Sequence, residues 1–534
     1  MSKIKKLLII SFLTIIASSV WFYSHKEIQA ENAVRSFLAG KGITDVAITI
    51  SECGLYACRI PELRIGEDIT VKDIWAQYDP QSIVEKKITF LQIASIALHV
   101  RNQNGKFSLG GLEKLWSADS TEVAKPFILN LPLKALLIGG VELQYTADNN
   151  TQTLETSQIS LQEDSQEAAH YLLKVFQMKH IQDHPFIVPL DLSLRLSLES
   201  NELQLDGNLQ SQDNHIKVPL LVRWNNVENS FTASAKLEQI NFEAGILQPD
   251  ELFPVLAGKV SQVSGIVALQ SNISWKSGLL KTPTRISLNG LSMDAFGVNL
   301  DRATGIIAFD SILPPKTEGK QTIDVQRLTA GVPLENGKIQ FEFAAKDMLV
   351  LHPMKWGWAG GSLVTDRLQI NWKNPVVSQV KLHVRQVDLQ SLMSLVVEKD
   401  MLATGKLDGT IPVRFAKGRV LIDQASLSST SAGTVQYTSS DPAFAASGGA
   451  STELLAQALK DFHFTLLSMK VNSGEDGKAL VALQVKGANP ALYEGKPIEL
   501  NVNLQGNLEE IIRQGMNVYA IPTTLEHQLM EQKP

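Results

Sequence analysis

Only two of the 534 residues are cysteines, no block of like charge occurs, and after Tyr23 no hydrophobic run is long enough to cross a bilayer. Each shortage excludes a class of protein. Cys53 and Cys58 have no second Cys or His pair beside them, so the four ligands of a zinc site are missing. In an oxidising compartment their five-residue spacing suits a small loop disulfide; in a reducing one they read as two thiols. A net charge of -6 leaves no basic footprint for nucleic acid. Catalytic signatures are missing too. Gly474-Glu475-Asp476-Gly477-Lys478 is too short for a phosphate-binding loop and reads as a hairpin turn, and there is no nucleophile elbow and no His-Glu-x-x-His. His180 and His184 flank Asp183, but Pro185 ends any helix there, which leaves loop histidines. A dicarboxylate site needs convergent cations, and Arg414 and Arg419 sit on the polar sides of their strands. No paired carboxylates stand in a glycosidase setting. The reading is a non-enzyme without metal or cofactor.

What the chain does have begins at its start. Residues 7–23 carry no charge, follow Lys3, Lys5 and Lys6, and close on Trp21, Phe22 and Tyr23. This is the lower edge of a spanning helix with aromatics at the far interface, and the lysines hold the N-terminus in the cytoplasm. A cleaved signal peptide is the competing reading, with Ala30 as the cut. Ala30 lies well beyond the apolar run and has Ile28 three positions earlier, so an uncleaved anchor fits better. The expectation is a single-pass inner-membrane protein with its bulk in the periplasm.

The second feature is a period of two. In Gly409–Tyr437, Ile411, Val413 and Phe415 fall on one side of a strand and Thr410, Pro412 and Arg414 on the other, and Ala416-Lys417-Gly418 reads as a turn. Leu190 to Leu198 alternates leucine with polar residues, and Ile216 to Trp224 and Phe231 to Leu237 repeat the pattern. So do Ile339 to Phe343, Val380 to Val384, Val481 to Val485 and Ile498 to Leu504. Helical spacing is scarce. Glu163 to His180 reads as a long helix on Ala168, Tyr171, Leu172, Val175 and Phe176. Shorter helical readings fall at Glu31–Leu38, Asp250–Leu256, Leu389–Val396, Ser451–Phe462 after the Ser439–Ala450 linker, and Leu508–Met516. These cannot cover some twenty half-apolar strands, so the apolar side must meet another sheet, close on itself, or hold something that is not protein.

Several phrases from about Gly258 onward match a known family in order and spacing. They are Gly305 to Phe309 with Ile312 to Gln321, Gly331-Val332-Pro333-Leu334 with Gly337 to Phe343, and Gly360-Gly361. Val387-Asp388-Leu389, Gly405 to Pro412, Gly433 to Tyr437, and Gly487-Ala488-Asn489-Pro490 leading to Gly495-Lys496-Pro497 complete the set. In these the chain resembles the YdbH branch of the AsmA-like envelope proteins, whose C-terminal domain has also been labelled dicarboxylate transport. The resemblance implies a mainly β fold: an N-terminal transmembrane helix, then an elongated, twisted antiparallel sheet curled into an open apolar groove, with a few short helices. It implies a membrane-anchored bridge that moves phospholipid towards the outer membrane. Placing two acyl chains of about 30 methylenes in water at ~0.8 kcal/mol each costs roughly 24 kcal/mol, so an apolar path must be continuous.

The expected groove residues are Leu192, Leu194, Leu196, Val218, Leu220, Phe341, Phe343, Leu382, Val384, Ile411, Val413, Phe415, Leu483, Leu500 and Val502. The expected division is an anchor at 1–30, a periplasmic β segment ending in a helix at 31–185, a repetitive groove domain at 186–505 and a helical tail at 506–534. Expected partners are phospholipid, the inner membrane through residues 7–23, and a small outer-membrane protein that adds to the C-terminal sheet edge. The alternatives are a periplasmic β scaffold for outer-membrane assembly with no lipid channel, or a dicarboxylate-transport-related protein.

Overall fold

The computed structural model describes residues 26–507 apart from short gaps, the longest being 110–130, 372–378, 395–400 and 438–456. The anchor at 7–23, the Ser439–Ala450 linker, most of Ser451–Phe462 and the tail with Leu508–Met516 lie outside the described residues. Strand dominates, and almost all of its pairing is antiparallel. Among the described residues no helix is long and apolar enough to cross a membrane. The chain divides into two compact units. The first holds the described residues up to Ile240 with Pro249–Ala257 and Gln270–Lys281; the second holds Asn241–Gln248, Gly258–Leu269 and the described residues from Thr282.

In the first unit the helix Lys26–Gly40 lies against the opening strand, Val46–Thr49. Arg35 donates to the carbonyl oxygens of Val46 and Ile48 at 2.6 and 3.1 Å, and the Ile50 amide donates to Glu31 at 2.8 Å. Spaced four apart on one helix face, these two side chains satisfy the backbone groups that an edge strand leaves open. The other side of that strand pairs with Ala57–Ile65, which continues into Ile69–Gln77 and Ile88–Gln103. Cys53 and Cys58 face each other across a hairpin and are joined by a disulfide.

Two features depart from the sequence reading. Ile88–Gln103 runs parallel, not antiparallel, to both Leu133–Ile138 and Val141–Ala147. A parallel neighbour needs a crossover of a dozen or more residues, and Leu109 to Pro132 supply the length. Where the helix Glu163–His180 is expected, the described residues hold instead the last residue of the strand Gln158–Glu163 and the whole of the strand Tyr171–His180, so the segment to 185 ends in a strand and not in a helix. Tyr171, Val175 and their neighbours satisfy helical and strand spacing alike, and the partner strands decide. Tyr171, Leu173 and Val175 stand opposite Leu196, Leu194 and Leu192. From there a meander runs through Leu190–Glu199, Glu202–Ser211, Lys217–Asn225 and Ser230–Phe242.

The second unit is again mostly hairpins. Thr284–Ala295, Val298–Ile312, Gln321–Thr329 and Pro333–Ala344 follow one another, and later Gln379–Asp388, Lys406–Ala416, Ala425–Ser429, Phe462–Ser473, Lys478–Ala488 and Ile498–Asn507 lie in order. The helix expected at Leu389–Val396 is present as Leu389–Met393, N-capped by Asp388. Phe462, placed in a helix from the sequence, opens a strand instead, and the helical residues described before it are 457–459. Leu407, Val435, Phe462, Phe464, Leu467 and Val485 form a buried cluster there.

One device recurs in both units. Gln177, Arg302, Gln386 and Gln424 adopt positive φ of 49 to 55° inside or beside strands. Their amides donate to Asp191, Ser292, Asp408 and Asn472 respectively, each on a neighbouring strand. Residues in this conformation form bulges, which bend a strand and increase its right-handed twist.

Candidate functional site

Alternation within a strand becomes a surface only if neighbouring strands keep register, because a slip of one residue moves every side chain to the other face. Register is kept across most of the first unit. Ile60, Ile74, Ile93, Ile138, Ile159, Val175, Leu192, Leu209 and Val218 are successive partners on nine adjacent strands. A second row beside it runs Cys58, Ala76, Leu91, Leu136, Leu161, Leu173, Leu194, Gly207, Leu220 and Ala235. One residue out of phase, the partners are Arg59, Trp75, Gln92, Leu137, Ser160, Lys174, Ser193, Asn208 and Pro219, a mainly polar row on the opposite face.

The second unit repeats the arrangement. Trp356, Leu363, Val384, Gly409, Leu427, Met469, Leu483 and Val502 are successive partners. The row one residue away contains Lys355, His383, Thr410, Ser426, Lys470 and Asn503.

Burial along the apolar rows is uneven. Ile74, Ile93, Ile138 and Val175 are buried, whereas Leu192, Leu209, Val218 and Leu220 are half-buried. The polar faces carry exposed ion pairs such as Arg59–Asp73 at 2.9 Å and Lys338–Asp324 at 2.8 Å, which keep them wet and add little stability each. Hydrogen bonding from Arg59 holds the Asp73 carboxyl below its usual range. Among the described residues two carboxylates are buried, and both are paired, Asp68 with Arg101 at 2.8 Å and Asp164 with Arg195 at 3.2 Å. No metal-ligand cluster occurs among the described residues.

The sequence-predicted residues fall in several settings. Leu192, Leu194, Leu196, Val218 and Leu220 lie on the apolar face of the first unit, with Leu196 opposite Tyr171 and Leu205. In the second unit Leu382 pairs with Ile411 and Val380 with Val413, while the Phe341 and Phe343 rings meet edge to face at 5.9 Å. Val384 is 0% exposed and Val413 8%, so surrounding protein covers both. Leu483 and Leu500 pack on the Phe462 and Phe464 cluster. Phe415 and Val502 stand opposite Val420 and Leu483. The sequence reading omitted the isoleucine half of the first row, although its alternation at Leu63 to Ile74 and in KITFLQIASIALHV was there to be followed.

Residues 220–529, more than half of the chain, match the model of the YdbH-like family, described as intermembrane phospholipid transport protein YdbH. The chain belongs to the YdbH-like family. The family is described as one of intermembrane lipid transport, not of catalysis. No curated protein and no solved structure matches the chain. The first unit up to residue 219, with the longest apolar rows, precedes the family match.

Proposed function

We propose that this protein is anchored in the inner membrane through residues 7–23 and carries phospholipid towards the outer membrane along the apolar faces of its two units. The observation that carries the reading is the unbroken pair of apolar rows over nine and ten adjacent strands, with a polar row one residue away. Acyl chains have no directional groups, so a strip of Leu, Ile and Val side chains replaces the bilayer interior without a specific pocket, while the headgroup stays in water. Movement is then sliding, and no side chain acts as a catalyst. The domain reading that goes with it is an anchor at 1–30, a periplasmic β segment at 31–185, a groove domain at 186–505 and a tail at 506–534, with the apolar rows beginning in the β segment and running on into the groove domain. Ile498–Asn507 would offer its outer edge to a small outer-membrane partner by strand addition.

Photocrosslinking amino acids test this. Placed at Leu192, Val218 and Leu382 in cells they should capture phospholipid, and placed at Ser193 and Lys217 they should not. Equal capture on both faces rejects the assignment. The scaffold reading draws on one specific observation, the closed cluster around Phe462 and Phe464, where the apolar side meets protein. It predicts no lipid at any position.

A further inference from the structure

We propose that the fork in the sheet of the second unit is a binding site for a phosphate-type oxyanion carried on a small polar group. Pro333–Ala344 pairs with Met348–Leu351 at its far end, and near its start Glu335 stands opposite Gly357 of Lys355–Trp358. Between the two branches lies a cavity of about 810 Å³, lined on three strands by Lys338, Lys355 and Arg385, with Asn336, Gln340 and Ser362 between them. The hollow has a cause in the sequence. Glu335, Gly357, Ser362 and Arg385 are successive partners, so the two middle positions contribute almost no bulk. On the other side the fork is closed: Trp356 is 2% exposed, and its indole lies 2.1 Å from where a Cβ on Gly337 would stand.

The charge balance favours an anion. Lys338 is matched by Asp324 at 2.8 Å and Arg385 by Asp408 at 3.8 Å, while Lys355 has no ion-pair partner among the described residues. One cation without an ion-pair partner among the described residues, two more that each already face a carboxylate, and amide and hydroxyl donors thus line one concavity on a protein whose net charge is -6. Lysines bind phosphate as point charges from several directions, whereas a planar carboxylate is satisfied by one arginine fork. The volume falls in the range of small-molecule sites and exceeds what a bare phosphate fills, which leaves room for an attached polar group. A phospholipid headgroup and a free phosphate ester share this chemistry. The inference does not depend on lipid travelling along the apolar face.

The full chain in detergent, at low ionic strength, is titrated with inorganic phosphate, glycerol 3-phosphate and dihexanoyl phosphatidylglycerol below its micelle concentration, with calorimetry and Trp fluorescence as readouts. Saturable binding of at least one is expected, weakened about tenfold by Lys355→Gln, as loss of a charge-assisted hydrogen bond implies. Ser362→Glu should abolish it and Lys316→Gln should leave it unchanged. Binding of glycerol 3-phosphate as tight as that of the lipid assigns the site to free esters; binding of the lipid alone assigns it to headgroups. Absence of binding by all three, or binding that survives both Lys355→Gln and Ser362→Glu in variants with unchanged circular dichroism, overturns the proposal. Failure here leaves the crosslinking pattern on the apolar face unaffected, so the two readings fall separately.

Discussion

Gly207 stands opposite Leu194 so closely that a Cβ on the glycine would lie 1.9 Å from the carbonyl oxygen of Ser193 and 2.9 Å from the Leu194 Cα. Gly409 makes the same approach to Ser426 at 2.0 Å, and both glycines sit in the middle of apolar rows. The missing side chains let adjacent strands crowd together on the apolar side. Gly207→Val should therefore destabilise the first unit by about 1–3 kcal/mol or more, through overpacking against backbone that cannot turn aside. Faster hydrogen exchange in Leu190–Ser211, with the second unit unchanged, is the expected result.

The clamp between the helix Lys26–Gly40 and the first strand predicts a change in association. Arg35→Ala removes two donors from the Val46 and Ile48 carbonyls, each hydrogen bond from a charged donor being worth about 1.5–3 kcal/mol. The strand then presents an open edge. Light scattering should detect dimers or larger species in Arg35→Ala with Glu31→Ala, and exchange of the Ile50 amide should accelerate.

Much of this fold was legible in the sequence, and the failures share a cause. Leu190 to Leu198 could be read at once, because strict alternation of leucine with polar residues has no helical interpretation. Tyr171 to Phe176 could not, because Tyr171, Leu172, Val175 and Phe176 satisfy both periods and only Leu192 and Leu194 on the next strand separate them. The parallel pairing of Ile88–Gln103 is a fact of topology that no local pattern encodes. Bulges at Gln177 and Gln386 were invisible for a similar reason: glutamine carries no turn signal, and the carboxylates that hold these amides lie 14 and 22 residues away. Of the candidate site, the period supplied the apolar strip, whereas the fork around Lys355 depends on which strands meet.

The disulfide Cys53–Cys58 closes a short hairpin loop whose Gly54 carbonyl accepts a 2.7 Å hydrogen bond from the Tyr78 hydroxyl. Constraint of so small a loop is worth about 2 kcal/mol at most in the chain-entropy picture. Reduction should therefore loosen the hairpin without unfolding the unit. Proteolysis next to Tyr56, which is 65% exposed, should rise in Cys53→Ser with Cys58→Ser, while the melting transition of the whole chain moves little.

Asp388 gives a pH dependence with a definite sign. Its carboxylate accepts the Ser391 amide at 2.9 Å and lies 3.3 Å from Lys406, and these contacts, the backbone one first, hold its pKa below the usual aspartate range. A folded-state pKa below the unfolded value means the contribution is fully present above the ordinary carboxylate pKa near ~3.9 and is lost as pH falls through the depressed value. The cap on Leu389–Met393 should therefore weaken only below about pH 4. Asp388→Ala, which removes a cap worth about 1 kcal/mol, should speed exchange at Ser391 at neutral pH and abolish its acid sensitivity.

The last prediction separates the two faces by charge. Leu220 is half-buried and lies between Gly207 and Ala235 on an apolar row, and Lys217 is exposed on the opposite face. An acyl chain passing over Leu220 would have to share that strip with a carboxylate in Leu220→Glu, and the desolvation of an unpaired charge costs several kcal/mol. At Lys217→Glu the new carboxylate stays in water and costs almost nothing. Phospholipid recovered by mass spectrometry from the purified full chain should fall several-fold in Leu220→Glu and stay at the wild-type level in Lys217→Glu. Unchanged circular dichroism of Leu220→Glu checks that it folds, and Leu220→Gln isolates the charge: the polar group without it should reduce lipid recovery less than glutamate does. Equal recovery from all three variants would mean that the face beneath Leu220 carries no lipid.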